Sequence, residues 1–152
     1  ADVLKNKKAE TRILLTPHLG EANSLLNAGI HSRNPMDYLE KAAAFCEKHQ
    51  VYMLLKSVSS ILVSPEKKYV ISDYSSTPSL GKAGSGDGLS GYITGLLSFA
   101  EKYFSYLDII CFGDKMIHLS MKALEKKSSP ALHSILSLKD GMRLYLESFK
   151  RQ

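Results

Sequence analysis

An α/β fold with a mostly parallel sheet flanked by helices is what the sequence predicts, and three features of its 152 residues carry that prediction. Two short, unbroken apolar runs, "RILLT" at 12–16 and "VYMLLK" at 51–56, have the length and continuity of strands buried on both faces. Apolar residues at three- and four-residue spacing follow each run, the mark of amphipathic helices. The two patterns alternate without internal repeat or low-complexity linker, as in a sheet with helices packed on it. A chain of this length buries roughly two-thirds of its surface, enough for one core, so residues 1–152 are expected to form a single domain.

The first strand stops at Pro17, and a short helix over 21–28 follows, which Gly29 can close. In "SRNP", Asn34 is placed to cap a helix with Pro35 in its first position, and Leu39, Ala42, Ala43, Cys46 and His49 then line one face. After the second strand, "SILVS" and "KYVIS" flank "PEKK" and predict a hairpin with a type I turn at the proline. From Asp87, the spacing of Leu89, Tyr92, Ile93, Leu96, Leu97, Ala100, Tyr103 and Phe104 predicts a long amphipathic helix. A second one covers roughly 107–127, with lysines gathered at its C-terminal end, where the helix dipole favours them. "SPALHSIL" and "DGMRLYLESF" are expected to finish the chain as helices.

Composition narrows the function. No run reaches the ~18–20 apolar residues of a membrane helix, and the first ten residues lack the apolar segment of a secretory signal, so a soluble, cytoplasmic protein is expected. Cys46 and Cys111 sit in separate helical patterns without paired histidines, which predicts buried, reduced thiols and no zinc site. The net charge of +5 is spread over "KNKK", "PEKKY" and "LEKKS" with no interleaved aromatics, a solvated surface rather than a nucleic-acid footprint.

The segment "GKAGSGDGLSGYITG", 81–95, holds six of the ten glycines. Ordering a glycine costs about 0.5–1 kcal/mol relative to alanine, so a cluster this dense implies close approach of a ligand to bare backbone. Ahead of a helix, the amides of Gly84, Ser85 and Gly86 would converge beside the positive end of the dipole and form an anion site. Asp87 has two readings: a general base that takes a proton from a substrate hydroxyl as it meets a terminal phosphate, or an N-cap carboxylate without chemistry. The segment has neither the lysine of the P-loop nor the spacing of the dinucleotide fingerprint, so a cation must come from elsewhere. Lys56, at the end of the second strand and followed by Ser57, Val58, Ser59 and Ser60, is either that cation or a strand-end lysine in solvent. Ligands of open α/β sheets bind beyond the carboxyl ends of the strands, and "TPHLGE", "KSVSS" and the glycine loop all leave a strand there or can do so.

"ILLTPHLGE" (13–21), "LLKSVSSILV" (54–63) and "TPSLGKAGSGDGLSGYITGLL" (77–97), in this order, resemble the NAD(P)H-hydrate dehydratases, the YjeF C-terminal domain family within the ribokinase-like fold. The resemblance implies ADP- or ATP-dependent dehydration of NAD(P)H hydrate to NAD(P)H. In that repair reaction a phosphoryl group passes to the hydrate's hydroxyl and leaves in the elimination, and Mg2+ is the expected companion of the phosphates. Matched by position, Asp87 is the catalytic base beside the substrate, and Gly84, Ser85 and Gly86 are the anion hole. Lys56, Ser57, Val58, Ser59 and Ser60 line the nucleotide with the stretch 77–86, and His18 contacts the hydrated nicotinamide nucleotide. Without the resemblance, His18 reads as a loop histidine capping backbone carbonyls. No metal ligand is indicated, Glu21 and Asp2 qualifying only by residue type.

Leu19 and Ser57 stand where the family usually has proline and glycine, and of a later His-Gly-x-Ala-Gly-Asp motif only His118 in "IHLSMK" remains. "ADVL" (1–4) is similar to the end of the family's Asp-Ala-Asp-Ala-Leu segment. The resemblance thus implies a fold incomplete at its N-terminal side, corresponding to the C-terminal portion of a dehydratase domain. Such a chain is expected to associate with the missing portion or to form a homo-oligomer. Two other functions share the glycine loop: a ribokinase-like kinase acting on a hydroxymethylpyrimidine or thiazole alcohol, which "TPHLGE" disfavours, and a catalytically silent nucleotide-binding module.

Overall fold

Both unbroken apolar runs contain strands in the computed structural model of the chain, which describes residues 4, 6–8, 10–73 and 77–150. Asp2 lies outside the described residues, as does the loop stretch 74–76. The chain divides into two units, 1–73 and 74–152.

In the first unit, β1 (Leu14–Leu15), β2 (Tyr52–Leu55), β3 (Ser59–Val63) and β4 (Tyr69–Asp73) form one sheet in that order. β1 and β2 are parallel, with Leu14 opposite Tyr52. The α/β class is as expected, but the balance of pairings differs from a mostly parallel sheet: β2–β3 and β3–β4 are both antiparallel. Connection length decides this. Parallel neighbours need a crossover of about a dozen residues or more, and neither 56–58 nor 64–68 supplies one. Between β1 and β2 the chain has room for α1 (Leu19–Leu25) and α2 (Leu39–His49).

The expected hairpin is β3–β4, closed by Lys67 N–H donating to the Ser64 carbonyl at 3.1 Å around Pro65. A 3-10 turn, Pro35–Tyr38, leads into α2, and Asn34 caps it as expected, Oδ1 accepting from Met36 N at 3.1 Å. Ala42 and Cys46 of α2 are fully buried against Tyr38, Val51, Met53, Leu55, Ile61 and Val63. Successive residues Met53, Leu54 and Leu55 are all buried, so both faces of β2 are covered.

The second unit begins with a 3-10 turn, Pro78–Gly81, followed by α3 (Ser85–Ala100), α4 (Tyr106–Glu125) and α5 (Leu138–Phe149). α4 packs against both α3 and α5. It is the unit's central helix, burying Ile109, Ile110, Ile117, Met121 and Leu124. The helix expected in "SPALHSIL" is instead two short 3-10 turns, Pro130–Leu132 and Ile135–Ser137. Two local interactions break it. Ser129 and Ser134 cap the two turns, and the Lys82 ammonium takes the carbonyls of Pro130, Ala131 and His133, which a continuous helix would offer to its own amides.

Cys46 is buried as expected and Cys111 only partly so; burial pushes the two thiols up to about 12 and about 11, the charges of Asp114 and Asp108 adding at Cys111. Among the described residues no group of three or more His, Cys, Asp or Glu is placed to hold a metal, and no helix is long and apolar enough to cross a membrane.

Candidate functional site

The first unit gathers its candidate residues at the carboxyl ends of the parallel pair. Lys56 N–H donates to the Pro17 carbonyl at 2.9 Å, and His18 bridges to Lys56 in parallel register just beyond β1 and β2. His18 is the N-cap of α1. Its Nδ1 accepts from Glu21 N at 3.1 Å, and Glu21 Oε2 accepts from His18 N at 2.8 Å, a reciprocal capping box. α1 therefore starts earlier than 21. The capping role expected of His18 is present, with an amide as its partner rather than a carbonyl.

With Nδ1 accepting from Glu21 N, Nε2 faces Glu21 Oε1 at 3.5 Å, and the side chain is 62% exposed. The His18 amide holds the Glu21 carboxyl below the ordinary carboxylate range, and the charges of His18 and Lys56 act in the same direction. Gly20 leaves the ring its space, since a Cβ there would lie 3.0 Å from His18 Cε1. Beyond Lys56, Val58 is 70% exposed at the turn between β2 and β3, and Ser57 and Ser59 are half-buried. Ser60 is only 3% exposed, within β3 opposite Ser72.

The second unit holds the glycine loop. Gly84 is the N-cap of α3 at φ 84°, a left-handed conformation that glycine adopts without a Cβ penalty. Asp87 is therefore the third residue of the helix and not its cap, which removes the purely capping reading. It is exposed in the first turn, where a carboxylate is favoured by the dipole. Ser85 N–H leans on the Lys82 carbonyl at 3.3 Å, and Gly88 N–H closes the first helical bond to Gly84 at 3.0 Å. Among the described residues, the amides of Gly86 and Asp87 have no protein acceptor, and Ser85 Oγ is buried without a partner. Three donors thus gather at one helix start. Gly88 has a different purpose, because a Cβ there would lie 2.0 Å from Ile135 Cγ1: it lets the 135–137 turn press onto α3.

Sequence reasoning missed the groups that hold this loop from behind. Ser79, fully buried, donates its amide and its hydroxyl to Glu125 Oε1 at 2.9 and 2.5 Å, and Thr77 Oγ1 lies 3.2 Å from His118 Nδ1. Only His118 carried a signal, as the remnant of a motif.

Burial pushes the His118 imidazole down to about 4, the Lys122 charge adding and Glu125 opposing, with Asp114 Oδ1 3.8 Å from Nε2. A histidine neutral in the fold but protonated near ~6.5 when unfolded makes stability fall as pH drops between those values. The contribution is complete above that window and roughly 2 kcal/mol smaller by about pH 5. Thermal melts of His118→Gln should show a flatter acid slope than the parent. A parallel slope in the two proteins would show that His118 is not its source.

Comparison with known proteins gives one consistent relationship. The family described as NAD(P)H-hydrate dehydratase matches residues 1–136. The bifunctional NAD(P)H-hydrate repair enzyme Nnr of Moorella thermoacetica is 35% identical over 104 residues, which is 63% of this chain and 19% of that protein. The chain therefore spans about a fifth of the length of this curated relative. Among solved structures, Bacillus subtilis YxkO, a member of the UPF0031 family, superimposes with a TM-score of 0.72 at 21% identity over 94% of this chain and 52% of the other. The ADP/ATP-dependent NAD(P)H-hydrate dehydratase of Bacillus subtilis, crystallised with ATP/Mg2+, gives 0.67 at 20% identity over 95% of this chain and 50% of the other. At these identities the structural likeness is one of fold.

Proposed function

Because the chain belongs to the NAD(P)H-hydrate dehydratase family, we propose that it supplies the phosphate site and the catalytic base for ADP- or ATP-dependent dehydration of NAD(P)H hydrate to NAD(P)H. The start of α3 carries this reading: two amides and a buried serine hydroxyl, without partners among the described residues, stand in one turn beside an exposed carboxylate. Such donors suit the oxygens of a terminal phosphate, which also meets the positive end of the helix dipole. Asp87 takes the proton of the hydrate's hydroxyl as that oxygen bonds to phosphorus. The bond from that phosphorus to the nucleotide breaks, releasing the nucleotide shortened by one phosphate, and elimination of the phosphorylated oxygen as inorganic phosphate, with a proton lost from the adjacent ring carbon, then leaves the dihydronicotinamide.

Lys56 and the turn 57–59 contribute cationic and polar contacts to the nucleotide, and the exposed His18 ring, braced by Glu21, contacts the nicotinamide nucleotide. Mg2+ would neutralise the transferring phosphates. The fold neighbour crystallised with ATP/Mg2+ supports this choice of nucleotide and metal. A cytoplasmic location suits a nucleotide-dependent repair reaction and two reduced thiols.

The test is recovery of nicotinamide absorbance from hydrated NADH with ADP or ATP and Mg2+, in the protein carrying this sequence. Turnover of a hydroxymethylpyrimidine or thiazole alcohol in its place would move the protein to the kinases of the same fold.

Self-association belongs to the same proposal. Between α3 and α4 lies an apolar groove of about 480 Å³ lined by Leu96, Phe99, Phe104, Ile109 and Phe112. Its three phenylalanines are each more than half exposed, on the order of 400 Å² of aromatic surface, the size of the largest apolar patch of an ordinary monomer, which is often functional. A second copy of the chain is the occupant we assign. Light scattering should show a concentration-dependent rise in mass that Phe104→Glu abolishes, and a monomer at every concentration would refute the assignment.

A further inference from the structure

We infer that Glu125 is a positioning residue for the anion loop, acting through Ser79 from the end of α4. The inference rests on the phosphate-site reading of the α3 start and goes beyond it. Pro78 has no N–H, so the first donor of the 3-10 turn Pro78–Gly81 is the amide of Ser79, a group with no partner inside the turn. Ser79 is fully buried, and its amide and hydroxyl both converge on Glu125 Oε1, at 2.9 and 2.5 Å. One carboxylate oxygen, 46 positions along the chain, therefore caps a turn that lacks a cap of its own, Thr77 making no side-chain cap bond.

The Thr77 hydroxyl is engaged two helical turns earlier on α4, by His118 Nδ1 at 3.2 Å. α4 thus holds the chain on both sides of Pro78, and the Lys82 ammonium fastens the far end of the segment to the carbonyls of Pro130, Ala131 and His133. Between these anchors and α3 only Ala83 and Gly84 intervene. The direction of the free amides at 86 and 87 is consequently set by how firmly 77–82 is held. A carboxylate suits this task because its hydrogen bonds are charge-assisted and about twice as strong as neutral ones.

Glu125→Ala leaves the buried Ser79 donors without an acceptor and should loosen the loop. Glu125→Gln keeps an acceptor oxygen at the same reach and should restore most of the effect. Two readouts separate this inference from the reading beneath it. Amide hydrogen exchange at Ser79 and residues 84–88, without nucleotide, should accelerate roughly tenfold or more in Glu125→Ala and return close to the parent rate in Glu125→Gln. Calorimetric ADP affinity with Mg2+ should weaken about tenfold in the alanine variant and less than threefold in the glutamine variant.

If the parent does not bind ADP, the phosphate-site reading fails while the exchange rates still judge the clamp. Ser79→Ala, which removes one of the two bonds, should fall between parent and Glu125→Ala and serves if the latter does not fold. Unchanged exchange in the Glu125→Ala and Ser79→Ala variants, or a glutamine variant as loose as the alanine one, would overturn the inference.

Discussion

Asp87→Asn should bind ADP or ATP at least as tightly as the parent while its turnover of NAD(P)H hydrate falls by roughly 10²–10⁴-fold, the usual contribution of a positioned general base. The two effects separate because the carboxylate does two opposing things. It stands in the first turn of α3 beside the amides of Gly86 and Asp87, where its charge repels a phosphate that those donors attract. Removing the charge relieves that repulsion and leaves the donors in place. Asparagine has no basic oxygen to accept the hydroxyl proton, so the chemical step loses its base. Isothermal calorimetry for the nucleotide, set beside initial rates on hydrated NADH, checks both halves. Turnover that survives in the variant removes Asp87 from the catalytic role. Nucleotide affinity that collapses with it would make the side chain a structural support of the loop.

Gly141→Ala should be the most damaging small substitution in the second unit, at about 3 kcal/mol, or roughly 6–12 °C in melting temperature. A Cβ on Gly141 would lie 2.4 Å from the Ser120 carbonyl oxygen and 2.8 Å from its carbon. Those are main-chain atoms of α4, and no rotamer change can move them aside, so α5 must back away along its length. Overpacking against side chains is commonly relieved by rearrangement; here the relief costs the helix–helix contact itself. Gly91→Ala is the internal control. Nothing lies within 4 Å of its would-be Cβ on the exposed side of α3, and the variant should gain about 0.5–1 kcal/mol from helix propensity. Thermal melts of the pair distinguish crowding from a general effect of glycine replacement. Equal melting temperatures in Gly141→Ala and the parent would mean that α4 and α5 do not meet this closely.

What the sequence discloses depends on how local the cause is. Asn34 with Pro35, and Ser64 with Pro65, announce a cap and a turn through their own chemistry, and both form where the residues stand. The start of α1 was less visible because histidine is not among the usual caps, although Glu21 three residues on is the other half of the capping box. The two antiparallel pairs follow from the short links at 56–58 and 64–68, which are visible in the sequence but less prominent there than the unbroken apolar runs. Gly84 was legible as a loop glycine. Gly88 was not separable from it, because the reason for Gly88 is Ile135, far along the chain. The same holds for Glu125, whose helical position gives no hint of Ser79. Within the candidate site, then, the phosphate-facing residues are readable because they are contiguous, and their supports are not because only folding brings them near.

The most direct measurement is an NMR titration of the isotope-labelled chain with ADP and Mg2+, following the backbone amides of 84–88. Grip on the terminal phosphate by the opening turn of α3 predicts saturable shifts that are largest at Gly86 and Asp87 and smaller at Ser85, whose amide already leans on Lys82. Resonances at these positions that stay fixed while saturating nucleotide moves others, or moves none, would contradict it.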